Sequence, residues 1–189
     1  MENLTNLKNQ VRFEYFTSFD SNDSNLENYL KWWSDKTFIE TRMLNKTVEF
    51  FKENLLYAIF VFDNESLIGA AGLIPCPNRH KEKMYYGDRL VVELASNFVD
   101  PKYRNYHIGT NFVLKRLDFC RQKKLFPVSV TGNHLIQKIF KHEGILMKDI
   151  EKYHHIYKEV RICECKENEK PSCKICPLTD KAIWVFKGF

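Results

Sequence analysis

The sequence predicts an α/β fold of the α+β type, and three observations predict it. Short segments (12–16, 56–62, 67–74, 90–99 and 127–131) are rich in apolar, β-branched and aromatic residues and are bounded by polar or turn residues, the pattern of strands that bury one face or both. Between them lie longer segments with apolar residues three and four apart, the spacing of amphipathic helices. The composition is 44% hydrophobic and 14% aromatic, enough to pack a core and to exclude a disordered chain. Residues 1–189 are read as a single domain, a length one core can serve.

Residues 12–16 read as the first strand. Ser24 with Glu27 forms a capping-box signature ahead of Leu26, Tyr29, Leu30 and Trp33. Thr37 with Glu40 repeats that signature ahead of Ile39, Met43, Phe50 and Phe51, which predicts a second helix. Residues 56–62 and 67–74 flank Asp63-Asn64-Glu65-Ser66 and read as a hairpin. A loop over residues 75–88 leads to a strand over 90–99, and two late strands are expected near Tyr153 to Cys163 and over residues 182–186. Trp32 and Trp33 read as packing residues, and Cys120 reads as a core thiol, at helical spacing with Val113 and Leu117.

The strand over 90–99 runs into Asp100-Pro101-Lys102-Tyr103-Arg104-Asn105-Tyr106-His107-Ile108-Gly109-Thr110 and then a helix. A helix start collects unpaired N–H groups at the positive end of the helix dipole, which suits an anion such as a pyrophosphate. A short strand follows, and then Asn133 opens a helix that stops at Gly144-Ile145. This order resembles the acyl-CoA-binding half of the GNAT acetyltransferase superfamily. Its loop runs Gln/Arg-x-x-Gly-x-Gly/Ala; Arg104 and Gly109 fit, and His107 stands at the first glycine. His107 can still offer its backbone N–H there, on the condition that its backbone stays in an ordinary region.

The order of elements is similar to the whole GNAT fold. It implies a central mixed, mostly antiparallel sheet of about six to seven strands flanked by about four helices. It also implies an acetyl-CoA-dependent N-acetyltransferase in which an amine attacks the thioester directly. Acetyl-CoA is then the cosubstrate. The loop Arg104, Asn105, Tyr106, His107, Ile108, Gly109 and Thr110 would hold its pyrophosphate, and the backbone at Phe98 and Val99 would contact its thioester. Asn133 matches the family's asparagine at the last helix, and Phe140 stands where a tyrosine commonly protonates the departing thiolate. The family's base, a glutamate six residues before the valine that ends its strand, corresponds to Glu93. By strand alternation Glu93, Ala95 and Asn97 share a face, and a carboxylate in so apolar a run is costly to bury without a role.

Cys163-x-Cys165-x7-Cys173-x2-Cys176 places four thiols in a Lys/Glu-rich insert at about 163–178. Four thiolates complete a tetrahedral zinc shell and would pin a segment too polar for its own core. One structural zinc is therefore the expected metal. The net charge of +5 is mild and fits a solvated surface better than a nucleic-acid face. Residues 1–10 are polar and carry no secretory signal, and no apolar run is long enough to span a bilayer. A cytoplasmic location is expected, with a small-molecule or peptide amine as acceptor and a homodimer as the assembly. Two competing readings are a non-catalytic acyl-CoA sensor, favoured by Phe140 and His107, and a zinc-stabilised protein- or nucleic-acid-binding module.

Overall fold

A computed structural model of the protein describes residues 11–17, 19, 23–39, 45–76, 82–131, 134–146 and 182–189. In chain order they form β1 (Val11–Phe16), α1 (Ser24–Ile39), α2 (Val48–Asn54), β2 (Tyr57–Asp63), β3 (Ser66–Pro75), β4 (Tyr85–Tyr86) and β5 (Arg89–Val99). A 3-10 turn (Pro101–Tyr103) follows, then α3 (Ile108–Gln122), β6 (Phe126–Thr131), α4 (His134–Glu143), β7 (Gly144–Leu146) and β8 (Ala182–Phe186). The fold is the expected mixed, mostly antiparallel α/β arrangement, with four α-helices among the described residues. Two compact units are distinguished. One holds the chain up to Ile74 with Ala95–Arg116, the other Pro75–Leu94 with Leu117 onward.

In the first unit β1, β2 and β3 are antiparallel neighbours, with Phe13 opposite Val61 and Ile59 opposite Ala71. Asn64 makes the β2–β3 turn at φ +52°, a left-handed conformation that asparagine tolerates. Six of the seven β2 residues are buried, because this strand is covered on both faces. Leu26, Leu30 and Trp33 of α1 enter the core with Phe51, Phe60, Ala95 and Phe98. Trp33 is fully buried, stacked on Phe51 at 4.2 Å and edge-on to Phe60. Gly72 makes room for that indole, since a Cβ there would lie 2.8 Å from Trp33 Cη2. Arg116 of α3 is fully buried as well, and its guanidinium donates to the carbonyls of Phe112 (2.9 Å), Gly72 (3.0 Å) and Ala95 (3.4 Å).

In the second unit β4 pairs with β5 through a turn at Gly87 (φ +60°) and Asp88, inside the expected loop. β5 runs parallel to β6 over three pairs, from Val91 opposite Phe126 to Glu93 opposite Val128. β6 then pairs antiparallel with β8, and β8 with β7. Cys76, Met84, Val91, Phe126, Val128, Ile183 and Val185 form the core here. The expected strand over 182–186 is present, whereas the one near Tyr153 to Cys163 falls outside the described residues.

Local capping differs from expectation at both early helices. Asp23, one residue before Ser24, caps α1 by accepting from the N–H groups of Asn25 (3.0 Å) and Leu26 (3.1 Å). Thr37 starts no helix. It lies buried inside α1, where its hydroxyl donates to Ser34 O (2.8 Å) and accepts from Lys46 N–H (2.9 Å). Those backbone partners satisfy the hydroxyl and let α1 run on to an exposed Ile39. Thr47 caps α2 instead, accepting from Phe50 N–H at 3.1 Å. Phe50 and Phe51 therefore sit on α2, apart from Ile39, and Met43 lies outside the described residues.

Candidate active site

The loop after β5 belongs wholly to the first unit and is built on the β2–β3 ribbon. Asp100 N–H donates to Ile68 O of β3 at 2.8 Å. The Asp100 carboxylate caps the 3-10 turn by accepting from Lys102 N–H (3.0 Å), and Pro101 fills a first position that needs no donor. Tyr103 donates its hydroxyl to Asp63 Oδ2, the last residue of β2, at 2.6 Å. That hydrogen bond, aided by burial and by the charges of Asp63 and Asp100, pushes the Tyr103 pKa up to about 12. Arg104 turns its Nε back onto Val99 O at 3.1 Å. The arginine that fits the loop pattern thus hydrogen-bonds the end of the strand five residues before it.

Two left-handed residues follow, Asn105 (φ +84°) and His107 (φ +59°). The condition set for His107, an ordinary backbone conformation, is therefore not met. This position demands the conformation for which glycine is the default residue, and histidine adopts it at a cost of about 1–2 kcal/mol. The bend directs the chain into α3, whose first helical bond runs from Asn111 N–H to His107 O at 3.0 Å. The N–H groups of Ile108, Gly109 and Thr110 precede that bond and have no partner within the helix. Gly109 and Thr110 lie in the first turn of α3, not in the loop. Ile108 turns its side chain into the core and offers only its N–H.

Upstream, β5 contains an irregularity that no sequence signal announces. Ser96 is left-handed (φ +53°), and the Trp33 indole donates to its carbonyl at 2.9 Å. Such a residue shifts the phase of the strand. Ala95 and Phe98, three apart, consequently face the same core. The alternation that would place Glu93, Ala95 and Asn97 on one face breaks at this point. Phe98 is buried against an edge-on Trp32, with the Lys36 ammonium 5.3 Å from the Trp32 ring centre. Only the backbone of Phe98 is thus left for a ligand.

Glu93 lies in the second unit, half-buried in the last rung of the β5–β6 ladder. Its charge acts on the Cys76 thiol, whose pKa is pushed up by burial and then by the Glu93 charge. Cys76 is held there by its own N–H on Val91 O at 2.9 Å. The thiol therefore stays protonated beside the carboxylate. Phe140, on α4, is fully buried between Trp184 (6.0 Å between ring centres) and Phe186 (5.2 Å). Its ring is occupied in core packing. Asn133, Cys163, Cys165, Cys173 and Cys176 lie outside the described residues, and no cluster of metal-ligating side chains occurs among the described ones.

Residues 17–142 match the acetyltransferase (GNAT) family. The chain belongs to this family. Solved GNAT-like structures share its fold. Rv2747 from Mycobacterium tuberculosis, in complex with CoA and NLQ, aligns with a TM-score of 0.55 at 12% identity, over 92% of this chain and 98% of that one. The Escherichia coli GNAT family N-acetyltransferase YhbS, in complex with CoA, aligns with 0.53 at 17% identity over 74% and 71%. The NatC complex bound to Gag peptide and CoA gives 0.55 at 16% identity over 73% and 86%. At such identities the likeness is one of fold. No curated protein sequence matches the chain. Within the GNAT frame, sequence reasoning missed Ser96, Asn97, Arg116 and the Tyr103–Asp63 pair. Ser96, Tyr103 and Arg116 act through partners distant in sequence, and the position of Asn97 follows from Ser96, so no local pattern marks them.

Proposed function

We propose that this GNAT protein is an acetyl-CoA-dependent N-acetyltransferase that passes an acyl group to a small-molecule or peptide amine. The observation that carries the reading is the start of α3, where Ile108, Gly109 and Thr110 present N–H groups directly after left-handed His107. That arrangement suits a pyrophosphate. Arg104, Asn105 and Tyr106 shape the approach to it, and the backbone at Phe98 and Val99 is the proposed contact for the thioester. Asn133 is retained as a further cofactor contact. Acetyl-CoA supplies the activated acyl group.

Glu93 is the proposed base. It takes, through water, the proton that the amine must lose as the C–N bond forms and the C–S bond breaks. Phe140 has no proton to return to the thiolate, and its burial removes it from that role. Solvent is the proposed proton source. The same observation favours a second reading, a non-catalytic acyl-CoA sensor. A zinc bound by Cys163, Cys165, Cys173 and Cys176, a homodimer and a cytoplasmic location remain proposals from the sequence. No helix among the described residues is long and apolar enough to cross a membrane.

The test is to measure thermal unfolding with and without CoA and, in separate CoA-free samples, to incubate the protein with acetyl-CoA and a panel of amines, polyamines and peptides, following free thiol. CoA at about 100 times its Kd should stabilise the fold by about 2.7 kcal/mol. Amine-dependent thiol release establishes the enzyme, and a thermal shift without release establishes the sensor. No shift at millimolar CoA defeats both.

A further inference from the structure

Between Ser96 and Phe98 the strand carries an amide oxygen that the fold does not use. The Oδ1 of Asn97 is buried, and no donor reaches it among the described residues. An amide oxygen in that state has given up its water and gained no partner, a loss that native proteins seldom leave standing. Its placement is a consequence of the strand irregularity. Ser96 holds a left-handed conformation that a serine does not adopt without cost, fixed by the fully buried Trp33 indole on its carbonyl. The phase shift puts Ala95 and Phe98 into the core together and leaves Ser96 and Asn97 between them. The ladder that β5 shares with β6 has already ended at Glu93 and Val128.

We propose that Asn97 is a ligand-binding residue whose Oδ1 accepts a hydrogen bond from an N–H of the bound substrate. This rests on the acyl-CoA reading, in which both substrates offer that group, as pantetheine amides or as the acceptor nitrogen. A carbonyl oxygen can recognise either, since each brings a donor and neither requires a charge on the protein. The core indole that fixes Ser96 thereby also fixes the aim of Asn97.

Asn97→Leu removes the amide at similar volume, and Asn97→Asp keeps an oxygen acceptor. Without ligand, the leucine variant should melt at the wild-type temperature or above it, because an unpaired buried acceptor is lost. If pantetheine is the donor, Asn97→Leu should weaken CoA about tenfold, the loss of one such hydrogen bond, and leave 3′,5′-ADP, which lacks pantetheine, unaffected. If the acceptor is the donor, both of these affinities hold, and KM rises about tenfold for whichever probe the wild-type protein acetylates among spermidine, L-glutamate and a peptide with a free N-terminus. Asn97→Asp should retain most binding in either case. A leucine variant that matches wild type in CoA affinity and KM, or that melts lower without ligand, overturns the proposal. Wild-type protein that binds no CoA instead defeats the acyl-CoA reading itself.

Discussion

His107 offers the sharpest test of how the loop is made, because two substitutions there should move stability in opposite directions. Its φ of +59° costs an L-residue about 1–2 kcal/mol. Glycine removes that cost but adds about 0.5–1 kcal/mol of unfolded-state entropy, so His107→Gly should gain about 0.5–1 kcal/mol. Valine, branched at Cβ, fits this region worse than histidine, so His107→Val should lose about 1–2 kcal/mol. The two variants should then differ by about 2 kcal/mol, or about 4–8 °C in Tm for a chain of this size. Thermal unfolding measures the difference. Titration with CoA measures the consequence, since a displaced backbone would turn the N–H groups at the α3 start off the phosphates. CoA affinity should hold in the glycine variant and fall in the valine variant. A valine variant that equals wild type in both Tm and CoA affinity would refute the claim that the loop needs a left-handed residue here. A glycine variant less stable than wild type by more than about 1 kcal/mol would show that the imidazole makes a contact that outweighs the strain.

Glu93→Gln should lower turnover far more than acetyl-CoA affinity, and the loss should shrink as pH rises and more amine is neutral by itself; an unchanged rate at neutral pH assigns Glu93 to structure. Tyr103→Phe cuts the tie from the loop to Asp63 and should raise the Kd for CoA several-fold with kcat little changed. The raised Tyr103 pKa means that the tie's stabilisation is intact below about pH 10 and is lost as pH climbs through about 12; wild type and Tyr103→Phe should converge in stability above that range. Arg116→Met leaves the carbonyls of Gly72 and Ala95 buried without this donor and should cost about 2–4 kcal/mol, read by denaturant unfolding. If the four clustered cysteines bind zinc, purified protein should contain about one equivalent of metal, and chelation should lower Tm while CoA binding survives in part.

Legible in the residue pattern were the alternation of strands and helices, the hairpin at Asn64, the core roles of Trp33, Leu117 and Cys120, and the loop-to-helix joint at residues 100–110. Each depends on local periodicity or on a turn residue, which a linear chain displays. The tertiary structure alone decided which threonine caps a helix. Thr37 and Thr47 both precede suitable residues, and only the backbone of Lys46, folded against Thr37, claims its hydroxyl for the interior. It decided that His107 is left-handed, because the chain must bend between a loop tied to the β2–β3 ribbon and the axis of α3. It decided that Arg116, a charge on an apolar helix face, is buried, because the carbonyls of Gly72 and Ala95 converge on it. It also broke the alternation of β5 at Ser96, where the indole of Trp33, 63 residues away, holds the carbonyl. Local chemistry sets what each residue prefers, and partners brought from far along the chain decide which preference is overruled.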